Sequence, residues 1–342
     1  IYQRKTTDMF TVGMSLPAVF GTDVPKGNYA DLTTKGFELS VSWRDQFQLA
    51  SKPFNYEVRF TLADYQSTID KYNNPEKKLG DDYYYEGMKV GEIWGYETEG
   101  FFTSQADIDS HAKQPYFYAG ATAGQWLPGD IKFKDLNGDG VIDYGNNTVD
   151  NPGDQKIIGN SEPRFIYGIN LSGDWNNFFV SAFFQGVGKQ DWWPGSEASY
   201  FWGMYNRPYN DMPKSHLGNI WTEENPNTYF PRLRGYSSEE PYAELNLKQT
   251  RYLQNIAYIR MKNIQLGYTL PKSFISKLRM QNAKVYVSGE NLWSWSPFYK
   301  YSKDLDVEAV RGSDRDLTEG TSGNGYSYPI LKSVSFGLSV TF

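Results

Sequence analysis

One run of oxygen-bearing side chains in the sequence has the spacing of a metal-binding loop: Asp135-Leu136-Asn137-Gly138-Asp139-Gly140-Val141-Ile142-Asp143. As D-x-N-x-D-G-x-I-D it forms the first part of a calcium loop of EF-hand type. Asp135, Asn137 and Asp139 stand at ligand positions 1, 3 and 5, Gly140 at the sharp turn, the Val141 carbonyl at 7 and Asp143 at 9. Hard oxygens on alternate residues of a tight turn suit a hard cation such as calcium, in a role that stiffens rather than catalyses. The acidic residue usual at position 12 is missing, since Asn146 stands there. A polar Asx-rich turn with no metal is the alternative.

A second cluster is aromatic. Trp192, Trp193, Tyr200, Phe201, Trp202, Tyr205 and Tyr209 fall within one stretch. Flat rings stack on sugar rings, so Trp192, Trp193, Tyr200, Trp202 and Tyr205 are the expected cargo contacts. Packing within a loop, or a surface for a partner protein, would enrich the same residue types.

Other chemistry is sparse. His111 and His216 are the only histidines and lie in no metal-ligand spacing. No nucleophile elbow, phosphate loop or dinucleotide fingerprint occurs. Adjacent carboxylates such as Asp81-Asp82 and Glu239-Glu240 point to opposite faces of a strand and mark no glycosidase pair. The formal net charge of -6 argues against nucleic acid as a partner. With Cys 0, disulfides and thiolate sites are excluded.

Alternation dictates the elements that carry these residues. At the end of the chain Val334, Phe336, Leu338, Val340 and Phe342 share one face, and Ser333, Ser335, Gly337, Ser339 and Thr341 the other. A period of two means a strand, and bulky apolar residues opposite small polar ones are the lipid-out, lumen-in pattern of a membrane barrel. The pattern recurs at 37–44, 54–62, 165–172, 263–270 and 283–290. In the segment Phe178 to Gly186 it is ambiguous, since Phe179 and Phe183 would point inward with Ser181 and Gln185. Inward Glu57, Arg59, Lys284 and Glu290 would line a polar lumen. About eight strands are expected. With the last strand ending in the periplasm, the connections Asp45–Pro53, Gly173–Asn177 and Pro271–Asn282 become short periplasmic turns. Gly13–Leu32, Gln66–Pro163, Gly188–Asn255 and Ser296–Ser327 become long extracellular loops. A short helix is expected in Pro271–Met280, with Phe274, Ile275 and Leu278 on one side. The expected fold is thus all-β, an antiparallel transmembrane β-barrel. A soluble β-sandwich alternates too, and differs in burying its apolar face against a second sheet.

Particular residues carry a resemblance. Pro128-Gly129-Asp130-Ile131-Lys132-Phe133-Lys134-Asp135 with the acidic loop that follows, Ile157-Ile158-Gly159-Asn160-Ser161-Glu162-Pro163-Arg164-Phe165 and Phe183-Phe184-Gln185-Gly186-Val187 resemble SusC/RagA-like TonB-dependent transporters. So do Thr34-Lys35-Gly36-Phe37-Glu38-Leu39, Tyr258-Ile259-Arg260-Met261-Lys262-Asn263 and Val285-Tyr286-Val287-Ser288-Gly289-Glu290-Asn291-Leu292, in the same order along the chain. The resemblance implies the C-terminal part of a larger barrel over residues 1–342, with the family's plug domain and TonB box outside this chain. It implies import through an outer membrane, powered by TonB, with a SusD-like lipoprotein as lid. The implied cargo is an oligosaccharide or glycan, with a peptide as the alternative; a surface adhesin or carbohydrate-binding module is the reading from a different class. The family commonly has an Asp shortly before Ile-Ile-Gly, which makes Asp154 the expected closing ligand of the calcium loop, with Asp150 competing for the role.

Overall fold

The structure, a computed structural model, describes residues 1–12, 21, 26–80, 83–117, 125–196, 198–207, 209–310, 325 and 328–342, without the side chains of Val12, Tyr236 and Leu278. Eight strands build one sheet: β1 (Tyr2–Val12), β2 (Lys26–Leu49), β3 (Lys52–Lys71), β4 (Arg164–Trp175), β5 (Phe178–Lys189), β6 (Tyr258–Thr269), β7 (Asn282–Trp295) and β8 (Ser333–Thr341). They lie in chain order, and each pairs antiparallel with the next. No helix among the described residues is long and apolar enough to cross a membrane, which says nothing of strands.

The register shows that the alternation is real across the sheet, because antiparallel partners point to the same face. One row runs Trp43, Val58, Leu171, Ala182, Ile264, Gly289, Val334. The next runs Asp45, Tyr56, Gly173, Val180, Leu266, Val287, Phe336. Between these two rows, on the opposite face, lie Arg44, Glu57, Ser172, Ser181, Gln265, Ser288 and Ser335. The apolar face is bare: Phe336 is 88% exposed and Leu338 67%. No second sheet covers it among the described residues, so the sandwich arrangement is not what these strands form. From Leu39 to Leu49 the apolar face extends about 34 Å along β2 at ~3.4 Å per residue. At a tilt of ~35–45° that is roughly the ~25 Å height of an outer-membrane barrel's apolar band.

The polar face carries the expected Glu57, which pairs with Arg44 at 2.9 Å, and Glu290, which accepts from Ser333 at 3.1 Å. The ambiguous phenylalanines of β5 share this face, and the structure explains why they fit. A side chain at Gly267 would meet the Phe179 ring at 2.2 Å, and one at Gly168 the Phe183 ring at 3.2 Å. The rings lie over notches left by the glycines of neighbouring strands.

Connection lengths alternate as expected, but several boundaries move. The strands run through Asp45–Pro53, pairing Phe47 with Phe54 and Leu49 with Lys52, so that only Ala50 and Ser51 turn. Both have φ > 0 (48° and 62°), the geometry that matches the twist of a two-residue hairpin. Asn176 and Asn177 (49° and 72°) do the same between β4 and β5. β3 continues to Lys71 and β2 begins at Lys26, so the loops expected at Gln66 and through Leu32 are shorter. Parts of the Gly13–Leu32 and Ser296–Ser327 connections lie outside the described residues. The helix after Pro271 forms at Lys272–Ile275 and continues as a 3-10 turn, Ser276–Leu278. Ile275 is buried and Phe274 exposed, so these two do not share a side; the Leu278 side chain lies outside the described residues.

Candidate functional site

The long connections do not hang free. Three of them, numbered from the one after β3, contribute to one core: Phe102, Phe117, Ile131 and Phe133 come from the first (between β3 and β4), Trp202, Tyr205, Phe230 and Tyr252 from the second (between β5 and β6), and Phe298, Leu305 and Val307 from the third (between β7 and β8). Together they bury one aromatic core, which rests on Val187 of β5 and Tyr258 of β6. Val187 and Tyr258 pair directly and continue the polar face of the sheet, so the cap folds over that face at the long-connection end. Burial of this many rings from segments distant in sequence ties the loops into a fixed body.

This decides most of the aromatic expectation. Trp192 is 4% exposed, and Trp202 and Tyr205 are 0% exposed. A ring with no free face cannot stack on a ligand, so these three are corrected from cargo contacts to cap core. Trp202 donates its indole N–H to the Pro194 and Gly195 carbonyls, and Tyr205 its hydroxyl to the Pro231 carbonyl at 2.6 Å. Trp193 is half-buried and packs edge-on to Trp202. Of the five, Tyr200 alone is exposed. His216 is buried, with Nε2 on the Phe201 carbonyl at 2.9 Å, and His111 contacts the Phe133 carbonyl at 2.8 Å; both are structural.

The acidic loop forms as a set of turns closed by its own carboxylates. Asp135 accepts from the amides of Gly138 (2.6 Å) and Gly140 (2.9 Å), and Gly138 and Gly140 both take positive φ. Asn137 accepts from the Asp139 amide, Asp139 from Val141 and Asp143 from Gly145. Asp154 is buried and accepts from Leu136 at 2.7 Å and Asp143 at 2.9 Å. Burial raises its carboxyl above the usual range, and those amides oppose the rise. Both Asp154 oxygens are thus engaged inside the fold, which makes it a brace between the ends of the loop rather than an open ligand. Asp150 is exposed and stands apart from the brace. Among the described residues no three acidic or histidine side chains converge on one metal position. The donors whose chemistry fits a hard cation are Asp135, Asn137, Asp139 and Asp143 with the Val141 carbonyl, and both oxygens of Asp135 and of Asp139 accept hydrogen bonds within the loop.

Two features escaped sequence reasoning. The first is a buried junction between the first two long connections. Arg234 donates Nε to Asp130 at 2.8 Å and Nη2 at 2.5 Å, while Glu244 accepts from the Ile131 amide at 2.7 Å with its second oxygen unpartnered. The second is a cleft of about 380 Å³, lined by Tyr83, Tyr85, Trp94, Tyr96, Tyr144 and Tyr242 among others. The run Tyr83-Tyr84-Tyr85 was the one visible signal for it.

No family model matches the chain. It is 26% identical, over its full length, to TonB-dependent receptor P3 of Formosa agariphila and likewise 26% identical to receptor P26 of that organism. It spans 32% of each of these proteins, about a third of their length. Its fold matches a solved RagAB peptide transporter with a TM-score of 0.67 over 99% of the chain, at 19% identity and 32% of that protein. A closed-closed RagAB peptide importer matches with a TM-score of 0.66 over 99% of the chain, at 18% identity and 33% of its length.

Proposed function

We propose that this chain, which is 26% identical to TonB-dependent receptors over its full length, is a β-barrel portion of a SusC/RagA-like TonB-dependent receptor and forms part of the wall and outer cap of a nutrient importer in an outer membrane. The observation that carries this reading is the two-faced sheet: a bare apolar face for lipid and a polar face whose outer end is roofed by folded loops. Its relatives are receptors and transporters, not enzymes.

The cargo in this reading is an oligosaccharide, taken up together with a SusD-like lipoprotein over the mouth and with TonB acting through parts of the protein outside this chain. The exposed tyrosines of the cap and the net charge of -6 of the whole chain favour a neutral polyol over an anionic cargo. Peptide cargo is the second reading, favoured by the peptide named for the RagAB structures of the same fold. Calcium, held by the Asp135–Asp143 loop, would stiffen the cap and take no part in translocation. Uptake of labelled oligosaccharides and peptides by cells with and without the gene tests the assignment. Loss of oligosaccharide uptake is expected; loss of peptide uptake alone would replace the cargo, and no loss of either would end the reading.

A further inference from the structure

The cleft between the first two long connections has a floor and a rim of different character. Trp94 and Tyr96, on the short strand Glu92–Tyr96, and Tyr85 form the floor. There the Trp94 indole donates to the Tyr85 hydroxyl at 3.3 Å, and that hydroxyl donates to the Glu92 carboxylate. The rim is Tyr83, Tyr144 and Tyr242, which are 44%, 38% and 53% exposed. Tyr144 follows the acidic loop and Tyr242 belongs to the other connection, yet their rings stand 6.3 Å apart, inclined by 36°. Tyr242 has φ 68°, a left-handed backbone that is strained for a bulky residue. The fold therefore holds this ring at the rim against its backbone preference.

We propose that this cleft binds a neutral oligosaccharide, with Tyr144 and Tyr242 as a paired stacking wall and Tyr83 at the rim. The inference rests on the import reading above and assigns it a site. Three observations select the ligand class. The rim offers ring faces, which suit the C–H faces of pyranoses. The wall carries the amide side chains of Asn147, Gln155 and Asn246, which match hydroxyls with the capacity left by their bonds to Leu79, Pro152 and Glu239. Of its two charged residues, Glu92 is engaged by Tyr85 and by the Lys89 amide, and Lys248 is partnered within the fold. The floor strand also has no open edge at its end for a peptide to extend. Gln155–Asn160 pairs with one side, while the Tyr96 amide donates to Lys248 and its carbonyl accepts from Thr250 on the other. Peptide capture by strand addition needs such an edge.

The test uses the intact receptor in detergent on an array of neutral oligosaccharides, anionic oligosaccharides and peptides, beside the variants Tyr144→Ala, Tyr242→Ala and Tyr242→Phe. Neutral oligosaccharides should bind, and each alanine variant should weaken them by about tenfold while Tyr242→Phe binds as wild type. Tryptophan fluorescence and heat-modifiable mobility report whether each variant is folded. Neutral oligosaccharide binding unchanged in both folded alanine variants would overturn the cleft and leave the import reading standing. Binding of peptides alone would overturn the cleft and replace the oligosaccharide with a peptide as cargo, and binding of nothing on the array would overturn the cleft.

Discussion

Arg260, on the polar face of β6, donates Nη2 to Asp306 at 2.5 Å and sets Nε 3.2 Å from Glu308, so the third long connection is bolted to the inner wall. Lys262 adds a contact to Glu308 at 2.6 Å. Arg260 and Asp306 are both largely buried. Removing one partner of such a pair costs ~3–5 kcal/mol, because the other charge is left without compensation.

Arg260→Met should therefore release Phe298–Val310 and leave the sheet intact. Hydrogen exchange should rise in that segment and stay unchanged in β6. Burial pushes Asp306 up, but Arg260 and the amides of Glu308 and Ile330 bring it below the usual carboxylate range. A lowered folded pKa stabilises above the ordinary value of about 3.9 and is lost as pH falls through the folded one. The wild-type segment should accordingly loosen only in strong acid. Early loosening near neutral pH, or equal exchange in wild type and variant, would count against the bolt.

The two faces of β6 give a paired test of the membrane assignment. Leu266→Arg puts a charge in the apolar row and should cost ~2–4 kcal/mol in folding into bilayers if it sits near the midplane. Gln265→Arg, one residue away on the polar face, should cost far less. Equal penalties from denaturant titrations in lipid vesicles would mean that the faces are misassigned.

Glu244 and Asp130 supply a prediction of opposite pH sign. Burial raises both carboxyls; Arg234 opposes the rise at Asp130 with two hydrogen bonds, while Glu244 has none from it. Glu244, fully buried and without a hydrogen bond from Arg234, is accordingly the carboxyl held well above the usual range. A raised folded pKa gives stability that is full below the ordinary value of about 4.3 and is lost as pH rises through the folded value. Glu244→Gln keeps an acceptor for the Ile131 amide and cannot ionise. Its cap should hold its protease resistance at alkaline pH where the wild type weakens; parallel pH profiles would refute this.

Calcium is tested at the acidic loop itself. Titration of the intact protein should release heat and protect 135–154 from protease, and Asp135→Ala should abolish both effects. Because Asp135 also closes the turn through Gly138 and Gly140, the variant Asp139→Asn serves as the control: it keeps a side-chain oxygen for the Val141 amide and removes one charge. No heat and no protection in the wild type would end the calcium reading.

Trp202 separates packing from cargo contact. Truncating so fully buried a ring costs ~3–5 kcal/mol, so Trp202→Ala should unfold the cap and raise its exchange throughout. An unaltered cap with weakened oligosaccharide binding would restore Trp202 as a contact.

The strands were legible because their signal is local. Leu338 and Phe336 declare a face through residues two positions away, and the hairpins then follow from the order of the segments. The Ala50–Ser51 turn was not legible, since neither residue favours positive φ and the polar residues around it read as a longer turn. The cap was hidden for a different reason. Trp202 and Tyr205 have the same neighbours in sequence whether they face water or Phe230 and Tyr252, and only the meeting of distant connections decides between these. Asp64 and Arg164, whose side chains meet at 2.6 Å twice over, are likewise invisible as a pair in the linear chain. Within the acidic loop the turn was legible from its spacing, while the inward role of Asp154 depended on burial.

The notches under Phe179, Phe183 and Tyr286 bear on what could pass along the inner wall. At Gly267 and Gly337 a methyl group would sit 2.2 Å from the Phe179 and Tyr286 rings. Each ring now occupies the space over a glycine of the neighbouring strand. Filling a notch would push its ring into the space beyond, so the clearance along this wall is set by hydrogen atoms on one strand as much as by the aromatic residues on the next.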